Sequence, residues 1–344
     1  MSPDSVRGRP RAAVVGAGIS GIACAQALRL AGVQVEVLDR GRAIGGRMAS
    51  RRLPRVTAAH DGGPQAGHIT DIGASYFTVR DPAFAEQVQT LVDSGVVRPW
   101  TDGFGVYQDG RDLGRRTGPL RYSAPAGLRS VVEALAADLR VAQGTEVAEV
   151  YLERDGALSV DRERVDAVAL CMPGPQAERL LAGPHPGVAA ARQAASAIAW
   201  ESVIAVSAGF AEVGWQPFDG IFVNGDPTLT WIADDGARRG DSAPVLVAHV
   251  APALATSMLK DPEQAREPSI AALRRVLSIQ AEPQWVDVQR WTYARPTGAS
   301  QEPCYLDSEV NLGMAGDAWA GGPRVEAAWC SGLALGQALA ARLA

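Results

Sequence analysis

Gly16-Ala17-Gly18-Ile19-Ser20-Gly21 decides the fold. Ahead of it, residues 12–15 are an apolar run that reads as a strand. Behind it, residues 22–30 carry apolar side chains at helical spacing, and Gly32 stops the helix. Residues 33–38 alternate as a second strand, which completes a βαβ unit of about 30 residues. In such a unit the first glycine permits a tight turn. The second removes a side chain where a pyrophosphate meets backbone, and the third lets the helix pack closely on the strands. The helix start at Ile19 and Ser20 offers unpaired N–H groups and a positive dipole end to phosphate, with the Ser20 hydroxyl as a further donor. Asp39 ends the second strand, at the spacing of roughly 20 residues where an acid accepts from ribose hydroxyls. That acid disfavours a 2′-phosphate, so Arg40 reads as a solvated or phosphate-facing charge. The fingerprint predicts a dinucleotide site without separating nicotinamide from flavin dinucleotides.

The rest of the composition narrows the class. The chain has 344 residues, 47% hydrophobic and 21% charged, with a net charge of −5. Two domains are expected at roughly 100–200 residues each. Interspersed charges of slightly acidic balance give no support for a nucleic-acid partner. Cys24, Cys171, Cys304 and Cys330 lack CxxC spacing, and the four histidines form no metal motif. No signal peptide and no apolar run of about 20 residues is evident, so no membrane association and a cytoplasmic setting are expected. Lys260 is the only lysine, in Met258-Leu259-Lys260-Asp261-Pro262, which reads as an exposed turn.

Further along, residues 51–68 read as a loop or hairpin with Gly62-Gly63-Pro64 at its tip. Helices are expected at residues 82–94, 128–139, 268–279 and 324–343. Residues 98–122 look like short strands carrying aromatics. Residues 145–152, 167–171 and 310–315 read as further strands. Residues 202–210, 220–223, 228–232, 245–249 and 285–293 read as an antiparallel sheet. His249 lies within that sheet and reads as a satisfied core histidine or a pocket wall.

Gly41-Arg42-Ala43-Ile44-Gly45-Gly46-Arg47-Met48 resembles the glycine-arginine motif of the amine-oxidase-like flavoproteins, which points to FAD. In that superfamily the glycines let backbone pass close to the cofactor and the arginine supports the pyrophosphate and flavin region; a surface charge is the other reading of Arg47. Residues 145–150 resemble the strand whose valine, here Val147, meets adenine with its backbone, although Val147 also reads as core. Gly313-Met314-Ala315-Gly316-Asp317 resembles the second FAD motif, whose aspartate accepts from ribitol hydroxyls. The helix that follows would direct its N-terminus at the flavin N1–C2=O edge and stabilise negative charge there; a docked helix without a catalytic role is the alternative.

The combination of Asp71-Ile72-Gly73-Ala74-Ser75-Tyr76-Phe77-Thr78, Arg290-Trp291-Thr292-Tyr293-Ala294-Arg295-Pro296 and Gly322-Pro323-Arg324-Val325-Glu326 is similar to the bacterial renalase-like branch of that superfamily. The resemblance spans nearly the whole chain. It implies an α/β protein in which a Rossmann-type FAD-binding domain is interleaved with an α+β substrate domain built on an antiparallel sheet. Residues 10–80, 125–185 and 303–344 would bind FAD non-covalently; residues 81–124 and 186–302 would cover it. Gly73, Ala74, Arg324 and Val325 join the implied cofactor contacts, and Tyr76, Trp291, Tyr293 and Trp319 the substrate contacts. The implied reaction is oxidation of 2- or 6-dihydronicotinamide isomers, with hydride passing to flavin N5 and dioxygen as acceptor, giving hydrogen peroxide. No acid–base dyad is required, because a dihydropyridine expels hydride without losing a proton. Amine oxidases of the superfamily generally carry a lysine bonded through water to flavin N5, for which this chain has only Lys260. An amine oxidase or desaturase on the same fold, and a non-catalytic FAD-binding module, are the other expectations.

Overall fold

A computed structural model describes residues 9–53, 67–307 and 309–344. The chain divides into two compact units, one of residues 1–46, 132–199 and 296–344, the other of residues 47–131 and 200–295. Compactness sorts residues 47–80 into the second unit, whereas the motif-based division groups them with the cofactor segments. The two divisions rest on different criteria, packing and ligand contact.

The first unit is built on a six-stranded sheet. In order across the sheet, its strands are Tyr305–Leu306, Leu312–Met314, Ala167–Leu170, Arg11–Val15, Gln34–Asp39 and Val141–Gln143. All neighbours run parallel except the first pair. Val14 pairs with both Ala169 and Val37, so Arg11–Val15 is the strand from which the sheet grows in both directions. The carboxyl end of such a strand is the topological switch point where open α/β sheets bind ligands. Here that end is Gly16. Apolar residues on the three central strands, Arg11–Val15, Ala167–Leu170 and Leu312–Met314, are buried on both faces, as parallel strands require; Val14, Val168 and Leu170 have no exposed surface. A small four-stranded sheet completes the unit.

Helices Ile19–Leu30 and Val325–Leu343 pack together through small residues. A Cβ at Gly332 would collide with the Ser20 carbonyl oxygen, and one at Gly336 would stand 2.5 Å from that of Cys24. The fold also joins cysteines that the sequence separates: the Cys24 thiol is hydrogen-bonded with that of Cys171 and raised well above its ordinary pKa by that bond and by burial.

The second unit carries an eight-stranded sheet and the short hairpin Ser50–Leu53 with His68–Asp71. The hairpin tip expected at Gly62-Gly63-Pro64 lies outside the described residues. The large sheet orders Trp285–Thr297, Ala199–Gly209, Val245–Val250, Leu229–Asp234, Gly220–Asn224, Arg98–Gln108, Arg111–Ser123 and Phe77–Thr78. From Ala199–Gly209 to Phe77–Thr78 its pairings are antiparallel apart from Gly220–Asn224 with Arg98–Gln108, which is parallel. Helix Pro82–Asp93 begins as its residues dictate: Pro82 suits the first turn and Asp81 Oδ1 accepts from Phe84 N at 3.0 Å.

Three local expectations are corrected. Residues 98–122 form two long strands, Arg98–Gln108 and Arg111–Ser123, rather than several short ones. Asp109 and Gly110 turn them, both at positive φ (49° and 81°), the conformation a two-residue hairpin turn favours. Only Val150–Leu152 of residues 145–152 is strand, because Asp161 Oδ1 accepts from Ala148 N and Glu149 N and holds the preceding backbone outside a ladder. The helix within residues 128–139 ends at Leu135, and turn conformation follows.

Candidate functional site

The three fingerprint glycines divide their work as steric argument requires. Gly16 sits at φ +108°, and a Cβ there would stand 2.5 Å from the Cys171 carbonyl oxygen. A Cβ at Gly21 would collide with the Gly16 carbonyl oxygen, so Gly21 sets how closely helix meets strand. Beside Gly18 no heavy atom of the described residues stands within 4 Å of a Cβ position. That open space adjoins the start of helix Ile19–Leu30, whose N-cap Gly18 makes no side-chain cap and whose first turn has no acid. Ser20 Oγ is buried there without a partner among the described residues. Free amides, an orphan hydroxyl and room without a side chain fit a pyrophosphate.

Asp39 has a role the sequence did not show. Its Oδ2 accepts from Ala17 N and its Oδ1 from Gly41 N, both at 2.6 Å, which ties the phosphate loop to the turn after the second strand. A carboxylate has about four lone-pair sites, so ribose hydroxyls can still be accepted. Gly45 N donates to Ala17 O at 2.9 Å, and Gly46, at φ +53°, brings its Cβ position to 3.3 Å from Gly18 Cα. Arg40 is exposed, and the Val147 side chain is buried in the core of the unit.

At the second motif, Gly316 takes φ +151° and donates from N to the buried Ser331 Oγ at 3.1 Å. Asp317 is buried. Ala320, Gly321 and Gly322 follow at φ +53°, +82° and +137°, a tight left-handed run in which Ala320 is the strained member. Pro323 lies outside the helix, Arg324 is its N-cap and Val325 its first residue. Arg324 Nε is buried without a partner among the described residues. Glu326, also buried, stands in the first turn, so its carboxylate shares the positive end of the helix. Trp319 packs on Tyr305, ring centroids 6.3 Å apart, against the sheet core.

In the second unit, Arg47, Gly73, Ala74 and Trp291 come together. Ala74 N donates to Arg47 O at 2.8 Å, and a Cβ at Gly73 would collide with that same oxygen and stand 3.3 Å from Trp291 Cζ2. Trp291 Nε1 donates to Ile72 O at 2.6 Å. The Arg47 guanidinium donates to Ala294 O at 2.9 Å and lies 5.3 Å from the Trp200 ring centroid. Met48 is buried beside it in sequence. Tyr293 lies on the same face of its strand as Trp291, edge-on to Trp200 at 6.4 Å. Tyr76 belongs to a different group: it packs on Trp100, Phe104 and Trp231. Burial raises its hydroxyl above the ordinary pKa, and the charge of Arg121 pulls it back.

His249 is the residue that sequence reasoning undervalued. It is not a satisfied core histidine: Nε2 is buried and has no partner among the described residues. Burial and the charge of Arg295 push its pKa down to about 4, with Arg238 adding to them and the Gly73 backbone opposing. The ring is therefore neutral at neutral pH. Its signal in the sequence was a lone histidine in the otherwise apolar strand Val245–Val250.

Residues 14–93 match an NAD(P)-binding Rossmann-like domain, and residues 103–338 match the family of flavin containing amine oxidoreductases. The chain belongs to that amine oxidoreductase family. Two solved structures have the same fold. A putative protoporphyrinogen oxidase from Exiguobacterium sp. 255-15 gives a TM-score of 0.73 at 15% identity, over 97% of this chain and 100% of that one. A putrescine oxidase redesigned in its cofactor binding gives 0.68 at 16% identity, over 98% of this chain and 99% of that one. The protein is thus an FAD-dependent oxidoreductase of the amine oxidoreductase family.

Within this family member, the segment from Asp71 to Tyr76 is held by buried polar groups. Asp71 Oδ1 accepts from Ser50 Oγ at 2.5 Å and from Leu128 N at 2.8 Å, while Oδ2 faces Arg238 Nη1 at 3.2 Å. Arg238, paired also with Asp235, donates to Ser75 O at 2.8 Å, and Trp231 Nε1 donates to Ser75 Oγ at 3.0 Å. A fully buried arginine is tolerable only with such partners. The network fixes the backbone on which Gly73, Ala74 and Tyr76 stand. Lys260 is exposed in the turn after helix Pro252–Ser257. Among the described residues no helix is long and apolar enough to cross a membrane.

Proposed function

We propose that this protein is a renalase-like oxidase that takes hydride from 2- or 6-dihydro isomers of NAD(P)H, with dioxygen as final acceptor. The observation that carries this reading is the position of Lys260. The chain's only lysine is exposed in a turn, so the lysine that serves flavin N5 in amine oxidases of the superfamily has no counterpart here. FAD, held without a covalent bond, supplies hydride acceptance and reaction with dioxygen when bound.

The chain's own residues do the remaining work. Gly16, Gly18, Ile19, Ser20 and Gly21 cradle the pyrophosphate, Asp39 takes the ribose, and Asp317 the ribitol. Gly45, Gly46, Arg47, Met48, Gly73, Ala74, Val147, Gly316, Arg324 and Val325 complete the cofactor contacts. Trp291 and Tyr293 offer flat faces to a dihydropyridine, which needs positioning rather than a base. Neutral His249 supplies a hydrogen-bonding nitrogen beside Gly73. Tyr76 and Trp319 are the remaining proposed substrate contacts.

The family match supports a second reading, oxidation of a small amine, also with dioxygen as acceptor. Anaerobic mixing of the purified protein with borohydride-reduced NAD+, which contains the isomers, separates the two. Rapid loss of flavin absorbance with the isomers and none with benzylamine is expected. Bleaching by benzylamine alone would replace the first reading by the second. Ordinary 4-dihydro NADH should be slow, because a pocket that seats the 2 or 6 position misplaces carbon 4, and a 1 Å error can cost about 100-fold in rate.

A further inference from the structure

Arg121 is buried, with 7% of its surface exposed, yet its Nε and Nη1 have neither solvent nor a partner among the described residues. Its guanidinium lies 4.2 Å from the Phe104 ring centroid. Arginine cannot shed its proton in a protein, so burial leaves a charge that a ring face compensates only in part. The neighbouring carboxylate does not supply the missing partner: Asp102 is engaged by Arg115. A second donor lies against the same phenylalanine. Trp100 is 5.4 Å from Phe104 between centroids, and its Nε1 is likewise buried without a partner among the described residues. Tyr76, within 6.3 Å of Trp100, adds a hydroxyl that feels the Arg121 charge. Tyr76 and Trp100 are partly exposed at the edge of this cluster. Two residues, one of them cationic, thus hold buried donors against one phenylalanine ring with no acceptor among the described residues.

We propose that Arg121 and Trp100 Nε1 bind an oxyanion of the substrate, a carboxylate or a phosphate ester, carried on a flat ring that rests on Tyr76 and Trp100. The inference rests on the assignment of Tyr76 to substrate binding made above, and it names the substrate class as anionic. A planar guanidinium takes either oxyanion through paired hydrogen bonds, and a charge-assisted bond gains strength in a desolvated setting.

The test is equilibrium binding of non-reducible probes to the holoenzyme, read by tryptophan fluorescence and by perturbation of flavin absorbance. The probes are benzoate, phenyl phosphate and the neutral benzyl alcohol. At least one anion is expected to bind about tenfold or more tighter than benzyl alcohol, and which anion does so identifies the oxyanion. Arg121→Met should erase that preference, Arg121→Lys should keep part of it, and Trp100→Phe should weaken the anion more than it weakens benzyl alcohol. Should Arg121→Met lose its native circular dichroism, the lysine and phenylalanine variants decide. Equal binding of all three probes to the wild type, or undiminished selectivity in every folded variant, overturns the proposal. Bleaching by the dihydronicotinamide isomers without anion selectivity sinks this inference alone. Selectivity that depends on Arg121 without such bleaching sinks only the reaction proposed above.

Discussion

Two glycines of one motif should fail differently when substituted. Gly18 faces open space, so Gly18→Val should fold and lose its flavin, because the branched side chain fills the room a pyrophosphate needs. Gly21 faces the Gly16 carbonyl, so Gly21→Ala should lose about 1–3 kcal/mol of stability by overpacking. Flavin-to-protein absorbance ratios and thermal unfolding of both variants check the contrast; a Gly18→Val protein with full flavin would refute the phosphate-loop placement. His249 makes a prediction of opposite kind. Its folded pKa of about 4 lies below the unfolded 6.5, so the unfolded chain binds the extra proton first. Stability is then fully present above pH 6.5 and lost as pH falls toward 4, by about 2 kcal/mol between pH 7 and pH 5. Carboxylates titrate lower in that range, so the measurement is the difference from His249→Gln, whose denaturation midpoint should fall less over the same interval.

At the scale of elements, the last helix depends on its closeness to helix Ile19–Leu30. Gly332→Leu should push the two apart, because even a Cβ there meets the Ser20 carbonyl. A loss of several kcal/mol, near the upper end for overpacked cores, is expected, seen as a lower thermal midpoint together with lost flavin. Retained stability would show that this helix is not clamped by its small residues. The glycine pair 332 and 336 is visible in the sequence, but its partner is not: Ser20 and Cys24 lie at the other end of the chain. The long hairpin teaches the reverse lesson. Asp109-Gly110 is a strong local turn signal between strands. Gly103, Gly105, Gly114 and Gly118 break the apolar alternation that marks strands, so the length of the two strands is not visible in the periodicity.

At the scale of the molecule, FAD bound without a covalent link should stabilise the protein by mass action, by about 2.7 kcal/mol at a hundredfold excess over Kd. Acid precipitation should leave intact FAD in the supernatant, and added FAD should raise the melting temperature of stripped protein; flavin that stays with the precipitate would refute the non-covalent reading. The sequence by itself determined the dinucleotide fold, since steric demands on Gly16, Gly18 and Gly21 are local and each glycine's task follows from covalent geometry. It determined the order of strands and helices wherever periodicity was unbroken. Tertiary structure alone decided which side chains lack partners. His249 and Arg121 read as ordinary residues in their strands, and only folding shows Nε2 of one and Nε and Nη1 of the other buried without a bond among the described residues. Satisfaction of a buried polar group depends on atoms from distant segments, and these are brought to it by packing that periodicity does not encode.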